Sequence, residues 1–275
     1  MNDRGSSVGI FDSGIGGLSI LQALRAEMPQ QDFIYIADSG HAPYGERDDA
    51  FVLSRARALT AQLLHQGIDA LVVACNTATA AAIDTLRAEH PALPIIGVEP
   101  ALRPATAISR TRRIGVMATR GTLASARFWQ LLEPLSAQAD FVLQPCDGLA
   151  DAIERNVQRD SDTTELIAAC YRHTRAMGQF GSKSGEIDTL VLGCTHYPFA
   201  AKALRSLLGP DVQFIATGEA VARQTRRLLS GPAASTARGA TPGGVRLLST
   251  SQPQHLQAAA KHWLNFEGEA QLLSL

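Results

Sequence analysis

Two of the four cysteines in this 275-residue chain stand at matching places in two similar segments. Cys75 ends "IDALVVAC" (68–75) and Cys194 ends "IDTLVLGC" (187–194), with Ile68, Asp69, Leu71 and Val72 recurring as Ile187, Asp188, Leu190 and Val191. Inverting a stereocentre is one reaction that wants such a pair. One group removes a proton from one face of a carbon and the other returns a proton to the opposite face, one sulfur as thiolate and one as thiol. The following residues differ, Asn76-Thr77 against Thr195-His196, as two inequivalent faces of a substrate require. Two other chemistries draw on the same residues. Cys194 with His196 forms half of a cysteine hydrolase, but that leaves Cys75 without a task. Zinc on Cys75, Cys194 and His196 needs a fourth ligand or an open water position. Cys146 and Cys170 lie outside any polar motif and read as small buried hydrophobes.

Further polar residues fall where strands are expected to end. "IFDSGIGG" presents Asp12 and Ser13, and "ADSGHAPYGER" presents Asp38, Ser39, Pro43, Tyr44 and Gly45. "VVACNTAT" adds Asn76 and Thr77, "MATRGT" adds Thr119, and "LGCTHYP" adds Thr195 and His196. Asp12 and His196 are candidates to manage the proton on one sulfur each. Thr77 and Thr195 also read as plain helix N-caps. A thiol at a strand-to-helix junction meets first-turn N–H groups and the positive end of the helix dipole, which would lower its pKa from about 8.5.

These residues need elements to carry them. Short apolar runs, "VGIF", "FIYIA", "ALVVA", "PIIGV", "RIGVM", "FVLQ" and "TLVLG", read as buried strands. Helical spacing falls between them, near 17–28, 50–66, 77–89, 121–136, 148–157 and 163–177, and again at 217–229. Alternation of this kind predicts parallel sheets built from βαβ units, where ligands gather at the carboxyl edge. The fold class expected is α/β: two related, pseudo-symmetric parallel-sheet domains with helices on both faces and the active site in the cleft between them. "VRLLST", "PQHLQAAAKHWL" and "AQLLSL" supply a last strand, helix and strand that return to the first domain. That gives residues 1–98 plus 211–275 as a discontinuous first domain and 99–210 as the second. "SGPAASTARGATPGG" (230–244) reads as a loop.

Composition narrows the function classes. Twenty-five basic residues against 26 acidic ones give a net charge of −1, no footprint for nucleic acid or anionic lipid. The start of the chain lacks the apolar core of a signal peptide, and no apolar run is long enough to span a bilayer. A cytoplasmic setting with reduced thiols is expected, and widely spaced cysteines argue against disulfides or structural zinc. "DSGIGGLS" departs from G-x-G-x-x-G, which disfavours a nicotinamide cofactor. Lys183, Lys202 and Lys261 stand in no strand-end motif, which disfavours pyridoxal phosphate, and "GSKSG" around Lys183 reads as an exposed turn. No cofactor and no metal are expected.

Taken in order, "GIFDSGIGGLSIL", "ADSGHAPYGER", "VVACNTATA", "GVEPA", "MATRGT" and "VLGCTHYPF" resemble the cofactor-independent aspartate/glutamate racemase family, its glutamate-acting members in particular. The resemblance covers most of the first 200 residues and is weak over the last 45 or so. It implies Cys75 and Cys194 as the catalytic acid/bases, with Asp12, His196 and Glu154 assisting. Asp12, Ser13, Pro43, Tyr44, Gly45, Asn76, Thr77, Thr119, Thr195 and His196 would form the substrate cradle. It also implies glutamate as substrate, D-glutamate for peptidoglycan synthesis as product, and a homodimer. Two positions depart from the family pattern, Thr79 in place of a common Ser and Ala216 in place of a common Asp. Residue chemistry alone leaves aspartate or hydantoins open as substrates, and a two-domain cleft also suits an amino-acid-binding protein.

Overall fold

The computed structural model describes residues 6–157, 162–230 and 242–275. Positions 231–241 of the loop expected at 230–244, and the first five residues, lie outside the described residues. Among the described residues ten strands form: β1 (Ser7–Asp12), β2 (Asp32–Ala37), β3 (Ala70–Val73), β4 (Ile95–Gly97), β5 (Arg113–Ala118), β6 (Asp140–Pro145), β7 (Thr189–Gly193), β8 (Gln213–Ile215), β9 (Val245–Ser249) and β10 (Ala270–Leu272). The helices are α1 (Leu18–Glu27), α2 (Asp49–His65), α3 (Asn76–Glu89), α4 (Leu102–Ile108), α5 (Arg120–Ala124), α6 (Ala126–Leu132), α7 (Leu149–Asn156), α8 (Thr164–Met177), α9 (Ala201–Leu208), α10 (Gly218–Leu229) and α11 (Pro253–Leu264).

Two parallel sheets result, one ordered β10-β9-β2-β1-β3-β4 and the other β6-β5-β7-β8. The second repeats the β2-β1-β3-β4 order of the first, so β3 and β7, the strands leading to Cys75 and Cys194, are equivalent. Side chains alternate between faces as the pleat requires. In β1 and β3, Val8, Ile10, Ala70 and Val72 join one core, while Phe11, Leu71 and Val73 join another. In the second sheet Leu190 and Leu192 face one core and Val191 the other. Both faces of each sheet are therefore covered by helices, the usual condition of parallel strands.

The repeated Ile-Asp has a local cause. Asp69 accepts the Ser7 N–H at the start of β1 (2.9 Å). Its counterpart Asp188 accepts the Ser109 hydroxyl and the Arg110 and Thr111 N–H groups just ahead of β5 (2.7, 2.7 and 3.0 Å). Each aspartate fastens the chain entering the central strand of its sheet.

Two details differ from the sequence reading. The helix expected over 121–136 breaks at Ser125, whose backbone is extended and whose hydroxyl accepts the Phe128 N–H. Serine offers the chain a cap in place of a continuing turn. The domain boundary expected at 210/211 would cut β8 from its partner, since Gln213, Phe214 and Ile215 pair with Thr189, Leu190 and Val191 of β7. The second body therefore extends at least to Ile215; three-residue β8 was too short to stand out in the sequence. The C-terminal strands β9 and β10 extend the first sheet past β2. Phe199 and Trp263 stack face to face at 3.8 Å, packing α11 against the turn that follows β7.

Candidate active site

Residues at the carboxyl ends of β1, β3, β5 and β7 line one cavity of about 340 Å³. Cys75 and Cys194 are both in its wall, 5% and 7% exposed, and all four cysteines are free thiols. Ser13, Pro43, Tyr44, Gly45, Asn76 and Thr77 line it from the first half. Thr119, Glu154, Thr195 and His196 line it from the second. Of the residues expected in the cradle, Asp12 alone is absent from the wall: it is fully buried behind it. Its oxygens accept the N–H groups of Ser13 (2.7 Å) and Gly17 and the Thr195 hydroxyl (3.3 Å). Through the Thr195 hydroxyl Asp12 braces one half against the other.

Each sulfur has a different partner. Cys75 lies 3.9 Å from the Ser13 hydroxyl and within hydrogen-bonding reach of Asp12. Burial, then the Asp12 charge, pushes its thiol well above the ordinary range, more than the Ala78 N–H at the start of α3 offsets. The lowering expected from a helix N-terminus is thus overridden by burial beside a carboxylate. Burial also raises Asp12 itself, against the opposing pull of His196.

Cys194 lies 3.7 Å from His196 Nδ1, and His196 Nε2 is 2.8 Å from Glu154 Oε1. Burial disfavours a charged imidazole, but contacts with Cys194 and Glu154 outweigh it and raise His196 well above its ordinary value. Glu154 shows the mirror case. Burial opposes its charge, yet the hydrogen bond from His196, the His255 ring 3.3 Å from its other oxygen and the Ile15 N–H bring it down to about 2. An imidazolium held this way can compensate negative charge on the neighbouring sulfur. Both His196 nitrogens are engaged, so zinc on Cys75, Cys194 and His196 would lack its imidazole donor. Among the described residues no group of three or more His, Cys, Asp or Glu is arranged to hold a metal ion.

The "DSGIGG" turn explains itself here. A Cβ on Gly14 would stand 2.1 Å from Glu154 Oε1, and one on Gly16 would stand 2.2 Å from His196 Nδ1. These glycines let the β1–α1 turn touch the histidine and glutamate of the other half. They do not form a dinucleotide loop.

Thr77 and Thr195 do not act as caps. Cys75 occupies the cap position of α3 without a side-chain bond. Thr77 Oγ1 instead meets Thr119 Oγ1 at 3.0 Å, tying the two halves across the cavity. Asn76 donates to the Val98 carbonyl (3.2 Å), and its Oδ1 is buried without a protein partner. Tyr44 is held by Asp38, which also takes a two-pronged bond from Arg55 at 2.9 Å and a bond from Thr250 at 2.8 Å. Thr79 accepts the Val98 N–H (3.0 Å), a framework role that suits its departure from the family pattern.

Several wall residues escaped the sequence reading. Cys146, read as a plain core residue, is buried but forms part of the wall, whereas Cys170 sits in the core. Arg120 and Arg155 reach the wall already paired, Arg120 with Asp147 and Arg155 with Asp151 and Glu165. Ser251, Gln252 and His255 come from the C-terminal stretch, where the family resemblance is weak. The one available signal was a histidine in the first turn of a helix directly after a strand.

The chain is similar to known proteins over most of its length. A family model described as Asp/Glu/Hydantoin racemase matches residues 18–225. A glutamate racemase of Ectopseudomonas mendocina (strain ymp) is 47% identical over 229 residues, covering 83% of this chain and 84% of that protein. One of Cupriavidus pinatubonensis is 41% identical over 274 residues, 100% and 97% of the two chains. Among solved structures, a glutamate racemase isoform from Bacillus anthracis superposes with a TM-score of 0.84 at 29% identity, covering 98% of each chain. Escherichia coli glutamate racemase, in complex with L-glutamate and the activator UDP-MurNAc-ala, gives 0.84 at 27% identity over 99% of this chain and 100% of that one.

Proposed function

Because the chain belongs to the Asp/Glu/Hydantoin racemase family, we propose that it interconverts L- and D-glutamate with Cys75 and Cys194 as the two acid/base groups. The observation that carries this reading is the pair of equivalent strands, β3 and β7, each ending in a cysteine of the same cavity wall. Glutamate as substrate follows the relatives, named glutamate racemases at 41–47% identity.

In one direction a thiolate takes the α-proton, breaking the C–H bond, and the opposite thiol donates its proton to the other face of the carbanion. The enzyme then holds the two sulfurs in exchanged protonation states, ready for the reverse reaction. Cys75 is best made a thiolate by passing its proton to Asp12, whose own proton affinity burial has raised. At Cys194 the His196 imidazolium balances the sulfur's negative charge, and Glu154 in turn holds the imidazolium. Hydroxyls of Ser13, Thr77, Thr119 and Thr195 suit the substrate carboxylates. The unpartnered Asn76 Oδ1 suits the α-ammonium, which donates where a buried acceptor otherwise goes unmatched.

D-glutamate feeding peptidoglycan synthesis, a cytoplasmic setting that keeps both thiols reduced and a homodimeric assembly complete the proposal. Among the described residues no helix is long and apolar enough to cross a membrane. Incubation with L-glutamate in D₂O tests the chemistry. Optical rotation should vanish while deuterium enters the α-position, without added pyridoxal phosphate or metal. Persistent rotation with no α-deuteration would refute it.

A further inference from the structure

We propose that His255 is a positioning residue for the Cys194 side of the reaction, acting through Glu154. This rests on the two-thiol reading above. His255 Nε2 lies 3.3 Å from Glu154 Oε2, while the other oxygen of that carboxylate takes His196 (2.8 Å) and the Ile15 N–H (2.9 Å). A carboxylate that orients an imidazole works only if it cannot rotate. With His196 and Ile15 both on Oε1, His255 is the side chain that meets Oε2 among the described residues. A continuous chain results, Cys194–His196–Glu154–His255, three members of which come from the second half and the last from α11 of the first.

The placement of His255 is itself well fixed. Its N–H bonds the Gln252 carbonyl (2.9 Å), and Leu256, Ala259 and Ala260 bury the same helix against the first sheet. Just upstream, Thr250 donates to Asp38 (2.8 Å), accepts the Gly40 N–H (3.0 Å) and bonds the Ala37 carbonyl through its own N–H (3.0 Å). Segment 250–255 is thereby fastened to the loop after β2 on one side and to the Glu154–His196 pair on the other. His255 also lines the cavity, its side chain 24% exposed.

The test compares two variants of similar bulk in the full-length protein. H255L removes the donor, and H255Q keeps an N–H near the same place. Expected is a fall in kcat of about tenfold for H255L, the order of losing a hydrogen bond to a carboxylate, largely restored in H255Q. Since substrate and product are enantiomers, kcat/KM must fall equally in both directions, but isotope effects need not move together. With α-deuterated L- and D-glutamate, H255L should raise the effect for the enantiomer whose proton Cys194 removes and not for the other. In an E154Q background H255L should cost nothing further. Equal activity of H255L and H255Q, parallel isotope effects, or an additional loss in E154Q would overturn the assignment. An inactive wild-type protein in the D₂O experiment would instead remove the reading on which it rests.

Discussion

Replacing Gly16 by alanine should strike the Cys194 side of the site without replacing a catalytic group. A Cβ there would lie 2.2, 2.5 and 2.7 Å from His196 Nδ1, Cε1 and Cγ. Comfortable contact between such atoms is about 3.5 Å, so turn and ring must part by roughly 1 Å. Gly16 is not among the glycines with positive φ, so backbone strain adds nothing and the effect is steric. His196 cannot yield freely, being held at 3.7 Å from Cys194 and 2.8 Å from Glu154. A shift near 1 Å stretches one of those contacts beyond use, and misplacement of that size costs about 100-fold in kcat. Overpacking should also lower stability by about 1–3 kcal/mol. The assays are racemisation followed by polarimetry and urea unfolding of G16A, with G244A as control, where the nearest atom is an ordinary 3.5 Å away. A cycle with H196A identifies the clash: removing the ring should return most of the stability that G16A loses. Wild-type turnover in G16A, or an equal stability loss with and without the His196 ring, would refute the reasoning.

C75A and C194A should each lower racemisation by several orders of magnitude and keep the wild-type circular dichroism spectrum; near-normal turnover in either would exclude a two-thiol mechanism. E154Q should move the basic limb of the pH–rate profile to lower pH. The folded His196 pKa is raised, so its proton leaves at higher pH than from a free imidazole, and removing the Glu154 charge weakens that hold. Imidazole NMR of His196 checks the direction. R55M should destabilise the fold by about 1–3 kcal/mol in urea, since it takes the two-pronged guanidinium from the buried Asp38 carboxylate and leaves it to Tyr44, Thr250 and His41.

Much of the site was legible in the chain because strand ends and chemistry share the same short motifs. The repeat "IDALVVAC"/"IDTLVLGC" gave two equivalent strands with a sulfur at each end, and the sheets order β3 and β7 alike. Asn76, Thr195 and His196 sit next to those strand ends, Ser13 sits next to the end of β1, and all follow from the same reading. What local sequence hides is whatever depends on the second half of a contact. "DSGIGG" looked like a failed nucleotide loop, and only His196 and Glu154 pressing on Gly14 and Gly16 give it a purpose.

Asp12 marks the same boundary from the other side. Its place at the end of β1 suggested substrate contact, but donors from Ser13, Gly17 and Thr195 claim its oxygens, and it lies buried behind the wall. A helix N-terminus suggested an acidified Cys75, yet burial beside Asp12 raises it instead. His255 lies 101 residues from Glu154 in the chain, and no pattern of spacing links them. The sequence by itself determined the alternating elements, the duplication and the two thiols, because periodicity and strand ends are local. Tertiary structure decided which carboxylate faces the cavity, which thiol is pushed up and which histidines share Glu154, because burial and charge pairing depend on what arrives from elsewhere in the fold.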